Sequence, residues 1–480
     1  MTASSSPPTP PADEPARVGA DSEPPQSADW RARLSVSLAY FRRFGALTPN
    51  ARLYLISNTI QSVTAGALGV VYTLFLSSLH YGDTFIGLTL FVGAIGGGAG
   101  ILPASSFVRR YGWRTMLLWS DLIGGVAIAV QLVYPTRAVI LLTTLGLGIS
   151  VAIFLVLNSP FLAANSASRD RAALFGLNNA LAFLAAVVGS LLGGALPTWL
   201  ATPAIAHSSL LLALRPFLLP DTTARLYQLS LILMGVIAVP SIIPVLFIRQ
   251  TAPTPGPSPA SGRGESRGVL VGGWLAWGEI RAGVRRGVGI ARQVTVGAIG
   301  RFTVSQVLVG FGAGLFFPYL SLYFVQKLGV TTATFGALSA GLTVTQAVAS
   351  LASAPLADRF GKVRASLVAQ VASLPFLLAL GGIPIAAIAG AAFLIRGGLM
   401  ALTSAPLQAY LMEAVPSDRR IVASNVYNVS YQVAWAIGAG LGGAVIAVGG
   451  FVAPMLIAAA LYAASAVLLG RWFWRQPVAG

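Results

Sequence analysis

The chain has 480 residues, of which 55% are hydrophobic and only 9% are charged. A soluble domain carries about 25% charged residues, so this composition excludes an ordinary soluble protein. The formal net charge is +17 and cysteine is absent, which excludes disulfides and cysteine-based metal sites. Because the arginines cluster between apolar stretches, the charge favours a membrane protein over a nucleic-acid binder.

The amino-terminal part of the chain is polar. Residues 1–29 are rich in Ser, Pro and acidic residues and contain no apolar core of a signal peptide, so they are predicted to form a disordered tail. From Trp30 to Phe44, arginines alternate with apolar residues, which predicts an amphipathic helix lying on the membrane surface.

Twelve apolar stretches follow, each long enough to cross a hydrocarbon core of roughly 30 Å as a helix. Lipid offers no partner for unpaired backbone groups, so helices are the predicted form. The first six spans are predicted at 52–78, 85–107, 115–134, 138–162, 172–199 and 226–248, and the second six at 300–325, 332–356, 363–381, 384–412, 421–447 and 451–470. The sequence therefore predicts an all-α polytopic membrane protein.

Two connections are longer than a tight turn. Residues 249–299 begin with a Pro/Gly/Ser-rich stretch and continue as a basic amphipathic segment, which predicts a linker between bundles at 30–248 and 300–480. The connection at 200–225 is too short and too polar at its ends to span, so it is predicted to lie at the membrane interface. Both histidines fall in loops, and no metal site or cofactor is expected.

The basic residues orient the predicted spans. With both termini on one side, 26 of the 31 Lys and Arg residues lie on that side. Arg137, Arg215, Arg225 and Lys327 lie on the other side, and Arg396 falls within a span. Since Lys and Arg favour cytoplasmic loops, both termini are expected in the cytoplasm, and the expected location is a bacterial inner membrane.

The two halves of the chain are related by an internal repeat. A shift of 249 residues aligns Arg52 with Arg301, Gly87 with Gly336, and Asn179 with Asn428. Parallel six-helix repeats of this kind place a substrate site between the halves, near the middle of the membrane.

The loop between the eighth and ninth spans, LADRFGKVR at 356–364, resembles the signature loop of the major facilitator superfamily, and FVRRYGWRT at 107–115 resembles its first-half copy. This resemblance implies two pseudo-symmetric six-helix bundles and a secondary transporter. Glycine permits the tight turn and the basic residues face anionic lipid headgroups. The gating residues that we predict from this loop are Arg110, Gly112, Asp358, Arg359, Gly361, Lys362 and Arg364.

In the superfamily the loop aspartate pairs with the amino end of a helix of the other half, where a carboxylate is favoured. For Asp358 this helix is the fifth, which is predicted to open near Ala172. We call this pairing the latch. The first half has Arg109 where the acid is expected, so the corresponding latch is missing or is rebuilt from Glu413 or Asp418. A solvated loop carboxylate is the alternative for Asp358.

Two glycine-rich stretches, GSLLGG at 189–194 and GAGLGG at 438–443, resemble the antiporter motif of drug/proton exchangers. That motif has Pro after its first Gly, whereas this chain has Ser190 and Ala439. Close packing of small residues is a sufficient alternative explanation. Because the sequence has no Walker P-loop, transport driven by ATP bound to this chain is not expected.

Ionisable residues within membrane spans are costly and are candidates for function. Arg396 lies near the middle of the tenth span, where it is predicted to bind an anionic or polar substrate or to contribute to coupling. Its alternative is pairing with carbonyls or an acid. Asp121 lies about two turns into the third span and is predicted to act in proton coupling, because low-dielectric surroundings favour the protonated form of an acid. Its alternative is a structural hydrogen bond to Ser120.

The resemblance implies that the first, fourth, seventh and tenth spans line the transport cavity, and the fifth and eleventh come close to it. The polar candidates for substrate contact are Asn58, Gln61, Asn158, Gln306, Tyr319, Arg396, Gln408, Asn428 and Tyr431, together with Asn179. Aromatic residues near Phe316 suit an amphipathic solute, although packing explains most of them equally well.

The sequence thus predicts a monomeric secondary transporter of a small molecule in a lipid bilayer, with a proton as the coupling ion and efflux of an amphipathic compound as the first expectation. A sugar or organic-anion importer of the same fold stays open, and Arg396 favours the anion. A sensor or scaffold that does not transport is the alternative from another class. An enzyme is not expected, because the spans hold no convergent catalytic groups.

Overall fold

A computed structural model of the protein describes residues 47–166, 171–206, 208–209, 215–249, 298–415 and 420–474. All regular structure in these ranges is helical, and twelve of the helices are long and apolar enough to cross a membrane. The prediction of an all-α chain with twelve membrane helices is confirmed. The predicted tail, the predicted surface helix and nearly all of the predicted linker lie outside the described residues.

The first bundle contains six membrane helices. They are α1 (Pro49–Ser78), α2 (Asp83–Tyr111), α3 (Trp113–Val133), α4 (Arg137–Ala164), α5 (Arg171–Leu200) and α6, which runs through Thr222–Ala238, Val239–Ser241 and Ile242–Leu246. The connection from α5 to α6 includes two short turns of helix, Pro203–Ala206 and Arg215–Phe217.

The second bundle contains the other six. They are α7, which runs through Ala298–Phe316, Phe317–Tyr319, Leu320–Leu322 and Tyr323–Lys327, then α8 (Thr332–Phe360), α9 (Lys362–Gly382), α10 (Ala386–Glu413), α11 (Arg420–Gly449) and α12 (Val452–Phe473). Each predicted span matches one of the twelve helices, with ends that agree within four residues.

Local sequence explains where several helices begin. The side chains of Thr48, Thr136 and Thr331 accept hydrogen bonds from backbone N–H groups in the first turns of α1, α4 and α8. Such caps satisfy donors that have no partner within the helix. At Gly112 and Gly361 the backbone φ angles are 81° and 85°, a region that favours glycine, so one residue suffices to join α2 to α3 and α8 to α9.

The two bundles meet across a pseudo-two-fold axis. The side chain of Gln326 donates a hydrogen bond of 2.8 Å to Ser77, a residue that lies one repeat of 249 earlier in the chain. Nearby, the hydroxyl groups of Thr73 and Ser321 are 2.5 Å apart. Residues related by the repeat therefore face each other at the axis, which confirms the two pseudo-symmetric halves.

The glycine-rich stretches of α5 and α11 form the seam between the bundles. A Cβ atom added to Gly443 would lie 1.9 Å from the carbonyl oxygen of Asp83, and one added to Gly194 would lie 2.6 Å from the carbonyl oxygen of Thr332. These two contacts are related by the repeat. Close packing of small residues, the alternative to an antiporter motif, therefore explains both glycine-rich stretches.

The membrane helices end at two faces, which we name from their charge. The basic face carries the turns at Gly112 and Gly361 and the ends of the chain segments at 249 and 298, and the opposite face carries the turns near His80 and Gly329. The seam lies toward the opposite face.

Toward the basic face the bundles diverge. Along α5, Gly194 and Ser190 are buried, Phe183 is 49% exposed and Asn179 is exposed. Along α8, burial falls in the same direction, from the buried Gly336 to Leu351, which is 81% exposed. The three hydrogen bonds between the bundles that the structure describes also lie toward the opposite face. The bundles are therefore joined at the opposite face, and this pattern indicates a cleft between them that opens toward the basic face.

Candidate functional site

A polar cluster lies within the first bundle, where α1 faces α3, α4 and α5. Tyr54, Asn58 and Gln61 follow at intervals of four and three residues, which places them on one face of α1. Asn58 donates a hydrogen bond of 2.8 Å to Asn178 of α5, and Gln61 donates one of 2.7 Å to Oδ1 of Asp121 in α3. Polar side chains thereby tie both α3 and α5 to α1.

Several polar atoms of this cluster are buried and have no hydrogen-bond partner. They are Oδ2 of Asp121, the hydroxyl of Tyr54 and Oδ1 of Asn158 in α4. Asp121 lies close to Tyr54, and the Tyr54 ring packs against Phe161, one turn of α4 beyond Asn158, with ring centroids 5.0 Å apart. Buried polar groups are normally satisfied, so these atoms mark a place where a water molecule, a proton or a solute can bind.

The hydrogen bond between Asp121 and Ser120, which was the alternative to a proton role, is not present in the structure. The Ser120 hydroxyl donates to the carbonyl oxygen of Ser150 at 2.9 Å and so links α3 to α4. The carboxylate is instead held by Gln61 on α1, the helix that the resemblance placed at the cavity.

In the second bundle, Arg396 of α10 is surrounded by aromatic rings and is only 6% exposed. Its guanidinium carbon lies 4.8 Å from the ring centroid of Phe316 in α7 and 5.2 Å from that of Tyr462 in α12. Tyr431 of α11 also lies close to this guanidinium. Cation–π contacts of this kind stabilise a desolvated cation by about 2 kcal/mol, which offsets part of the cost of burial.

The charge of Arg396 has no counterion among the described residues. The ion pair present there joins Lys362 to Glu413, and Nε of Arg396 is buried without a hydrogen-bond partner. A buried guanidinium normally has each donor satisfied. The aromatic cage thus holds a cation with a free Nε donor near the middle of α10.

The remaining substrate candidates fall into two groups. Gln306 hydrogen-bonds to Tyr427 of α11, and Tyr431 is partly buried beside Arg396. Gln408 and Asn428 are exposed near the basic face, and Asn428 donates to the carbonyl oxygen of Ser424 within its own helix. The structure does not bring these two residues to the buried clusters.

Tyr319 lies in the seam between the bundles. It follows Pro318, where α7 leaves α-helical geometry, and its hydroxyl donates a hydrogen bond of 2.6 Å to the carbonyl oxygen of Ala439. The side chain is 1% exposed and lies against Gly87 and Gly443. In this conformation Tyr319 offers no surface to a solute and contributes to closure at the opposite face.

The predicted gating residues lie at the basic face. The guanidinium groups of Arg110 and Arg359, which the repeat relates, each lie 5.4 Å from the ring centroid of the next residue, Tyr111 or Phe360. Lys362 forms an ion pair with Glu413, so that acid joins α10 to α9 within one bundle.

Asp358 is exposed at the end of α8. The described part of α5, the predicted partner helix, begins at Arg171, and residues 167–170 lie outside the described residues, as does Asp418. The latch therefore stays a prediction.

Sequence reasoning missed Tyr54, Asn178 and Tyr462. The spacing of Tyr54 from Asn58 and Gln61 was an available signal, because the three residues share one helix face. For Asn178 the sequence offers two adjacent asparagines, and the prediction named the exposed neighbour, Asn179. Among the described residues, no group of three or more His, Cys, Asp or Glu could hold a metal ion.

Comparison with known proteins identifies the family of the sequence. The family model described as Major Facilitator Superfamily matches residues 54–299 and 302–480. No curated protein sequence matches the chain at a significant level.

Solved structures share the fold at low sequence identity. The nucleoside transporter NupG is 11% identical, with a TM-score of 0.62 over 90% of this chain and 100% of that chain. A bacterial homologue of the human lysosomal transporter Spinster, in an inward-facing and unoccupied conformation, is 15% identical, with a TM-score of 0.59 over 88% and 92%. The xylose transporter XylE from E. coli, in an inward-open conformation, is 13% identical, with a TM-score of 0.57 over 92% and 96%.

Proposed function

The chain belongs to the major facilitator superfamily, whose members are membrane transporters. We propose that it is a secondary active transporter, which couples the movement of protons to the movement of an amphipathic organic anion. The supporting observation is a pair of ionisable side chains, an acid that is partly buried and a base that is buried, which lie in different bundles. Asp121 in the first and Arg396 in the second each carry a buried polar atom without a partner. Such atoms cost free energy unless a ligand or proton completes them.

Asp121 is the proposed proton carrier. One carboxylate oxygen is held by Gln61 and the other is free to take up a proton. A carboxylate removed from water is costly in its charged form, so its protonation depends on whether the cleft around it is open to water. Rocking of the bundles changes that access, which is the condition for coupling a proton to transport.

Arg396 is the proposed contact for the negative group of the solute. Its free Nε donor and uncompensated charge suit a carboxylate, sulfonate or phosphate oxygen. The aromatic rings of Phe316 and Tyr462 hold the guanidinium in place, and the apolar side chains around them suit the rest of an amphipathic molecule. The human organic anion transporter MFSD10 shares the fold, with a TM-score of 0.55, and supports the class of substrate only by analogy.

The conformation fits one stage of an alternating-access cycle. We propose that the basic face is cytoplasmic, since basic loops favour that side of a membrane. The cleft is then open to the cytoplasm, as in the inward-facing Spinster homologue and the inward-open xylose transporter. A path between two bundles of one chain needs no second subunit, so we propose a monomer in a bacterial inner membrane.

Transport by purified protein in liposomes tests the proposal. We expect a pH gradient to drive accumulation of a fluorescent organic anion, and the gradient sign that works gives the direction of transport. Asp121→Asn is expected to abolish gradient-driven accumulation while exchange of labelled for unlabelled anion continues, because exchange needs no net proton movement. The control Asp221→Asn removes an acid that caps α6, and Asn caps equally well. Anion binding without flux in the wild type points instead to a sensor.

A second arm of the same experiment tests Arg396. A hydrogen bond to a charged group contributes about 1.5–3 kcal/mol, so Arg396→Gln is expected to weaken anion affinity by roughly 10- to 150-fold. A neutral ester of the same anion is expected to bind wild type and variant alike. Equal loss for the anion and the ester would show that Arg396 only maintains packing.

A further inference from the structure

A groove runs along the outside of the second bundle between α9 and α12. It has a volume of about 540 Å³. Apolar or small residues form nearly all of its wall: Leu367, Val371, Leu374, Ala463, Ala466, Val467 and Gly470. Its remaining lining residues, Arg471 and Trp474, lie at the end of α12 on the basic face. The groove is therefore an apolar channel with a polar end.

The length of the groove matches one leaflet of a bilayer. Its wall extends from Leu367 to Leu374 along α9 and from Ala463 to Trp474 along α12. At 1.5 Å per helical residue these stretches are roughly 10 and 17 Å long. Half of a hydrocarbon core of roughly 30 Å is about 15 Å. An acyl chain that enters at the basic face and lies parallel to the helices fills a groove of this length.

The end of the groove at the basic face carries positive charge. The guanidinium of Arg364 donates to the carbonyl oxygen of Trp474 at 3.4 Å and lies 5.5 Å from the centroid of its ring. Arg364 and Arg471 are both exposed, and no carboxylate in the described part of the chain pairs with either. Tryptophan and arginine at this depth are typical of the headgroup region, where arginine attracts anionic lipid.

At the position of Arg364 the repeat places Thr115 in the first bundle, where Arg114 lies one residue earlier. At the groove, an apolar wall ends at two guanidinium groups that pair with no carboxylate among the described residues. An anionic headgroup with an acyl chain matches both features of this site.

We propose that the groove is a binding site for one anionic phospholipid, with an acyl chain between α9 and α12 and its phosphate against Arg364 and Arg471. Arg364 lies three residues after Gly361, the turn between α8 and α9. A lipid held there joins that turn to the end of α12. The proposal does not depend on which solute the protein carries.

Native mass spectrometry of the full-length protein tests the proposal with two lipids of identical acyl chains, phosphatidylglycerol and phosphatidylcholine. Each basic residue near an anionic headgroup strengthens binding about fivefold, so we expect one phosphatidylglycerol to be retained with a preference of roughly thirtyfold. Excess inorganic phosphate is expected not to displace it, because the acyl chain contributes to binding.

Two variants separate the headgroup from the chain. Arg364→Gln with Arg471→Gln is expected to lower the preference to about that of an uncharged site. Gly470→Leu is expected to reduce retention of both lipids, since a Cβ at Gly470 meets Leu367 only at 3.8 Å and a longer side chain fills the groove. The control Arg52→Gln with Arg114→Gln removes two charges from the same face of the first bundle and is expected to behave as wild type.

Three results would overturn the proposal. Equal retention of the two lipids by the wild type would show an unspecific apolar surface. Unchanged preference in the Arg364/Arg471 variant would place the anion elsewhere. A wild type that retains neither lipid would show that another part of the chain occupies the groove.

Discussion

The seam between the bundles makes the conformational equilibrium sensitive to a single methyl group. A Cβ atom added to Gly87 of α2 would lie 2.6 Å from the carbonyl oxygen of Gly440 in α11 and 2.7 Å from the hydroxyl of Tyr319 in α7. Both contacts are shorter than real carbon–oxygen contacts, and the first is to backbone that cannot rotate away. In the variant Gly87→Ala, therefore, α2 and α11 must move apart near the opposite face.

The size of the effect follows from the cost of overpacking. Adding a methyl group to a closely packed interface costs roughly 1–3 kcal/mol. The clash exists only while the seam is closed. The variant therefore raises the free energy of the conformation that is open to the basic face and leaves the free energy of conformations with a separated seam unchanged. The equilibrium is expected to shift by about 5- to 150-fold toward conformations with a separated seam, since 1.4 kcal/mol corresponds to about tenfold.

Distances between spin labels measure this shift directly. The native chain has no cysteine, so introduced cysteines are labelled without background. One label pair at Thr84 and Thr334, both exposed at the opposite face, is expected to report longer distances in Gly87→Ala. A second pair at Phe107 and Leu351, both exposed near the basic face, is expected to report shorter ones.

A control variant exists in the same helix. A Cβ atom added to Gly98 of α2 would meet no atom within 4 Å, so Gly98→Ala adds the same methyl group without a clash. Both variants gain helix propensity equally. Identical distance distributions for the two variants would refute the conclusion that the seam limits opening at the opposite face.

Two further predictions concern the signature loop at the basic face. Asp358→Asn is expected to reduce transport in liposomes severalfold, while membrane insertion and thermal stability stay as in wild type. The reason is that Asp358 is exposed and is proposed to act only when the basic face closes. Normal transport by this variant would refute the latch. Gly361→Ala is expected to lower the free energy of unfolding by about 1–2 kcal/mol, because the backbone φ angle there is 85°. Its melting temperature is expected to lie below that of the control Gly382→Ala, whose added methyl group meets no atom within 4 Å. Equal melting temperatures would show that the turn relaxes.

Fold-level features were predictable because each depends on local sequence. Span length depends on the thickness of the bilayer, and the tight turns depend on glycine at Gly112 and Gly361. The repeat is visible as a constant offset, and its structural consequence, the contact of Ser77 with Gln326, follows from pseudo-two-fold symmetry.

The candidate site was less predictable because membrane helices do not show which face is buried. Lipid is as apolar as a protein core, so the hydrophobic pattern that marks the inner face of a soluble helix is weak here. Asn178 and Asn179 illustrate the problem, since one residue turns the side chain by about 100° and only Asn178 reaches α1. Likewise, the burial of Tyr319 depends on the break of α7 at Pro318 and on a second bundle, neither of which local spacing encodes.

The structure combines a symmetric seam with asymmetric charges. The repeat places Gln370 at the position of Asp121 and Leu147 at the position of Arg396. Gln370 holds α9 to α12, because its side-chain amide donates hydrogen bonds to the carbonyl oxygen of Tyr462 and to the hydroxyl of Ser465, both at 3.1 Å. The partly buried acid Asp121 and the buried base Arg396 therefore lie in different bundles, and neither has an ionisable counterpart at the repeat-related position.

This separation bears on the coupling that we propose. Asp121 and Arg396 lie in bundles that move against each other during alternating access, so protonation of the acid and binding of a solute to the base occur on different moving parts. A proton or a solute shifts the equilibrium between two conformations only by the difference in its affinity for them. The proposed coupling therefore requires that rocking of the bundles change the surroundings of both Asp121 and Arg396.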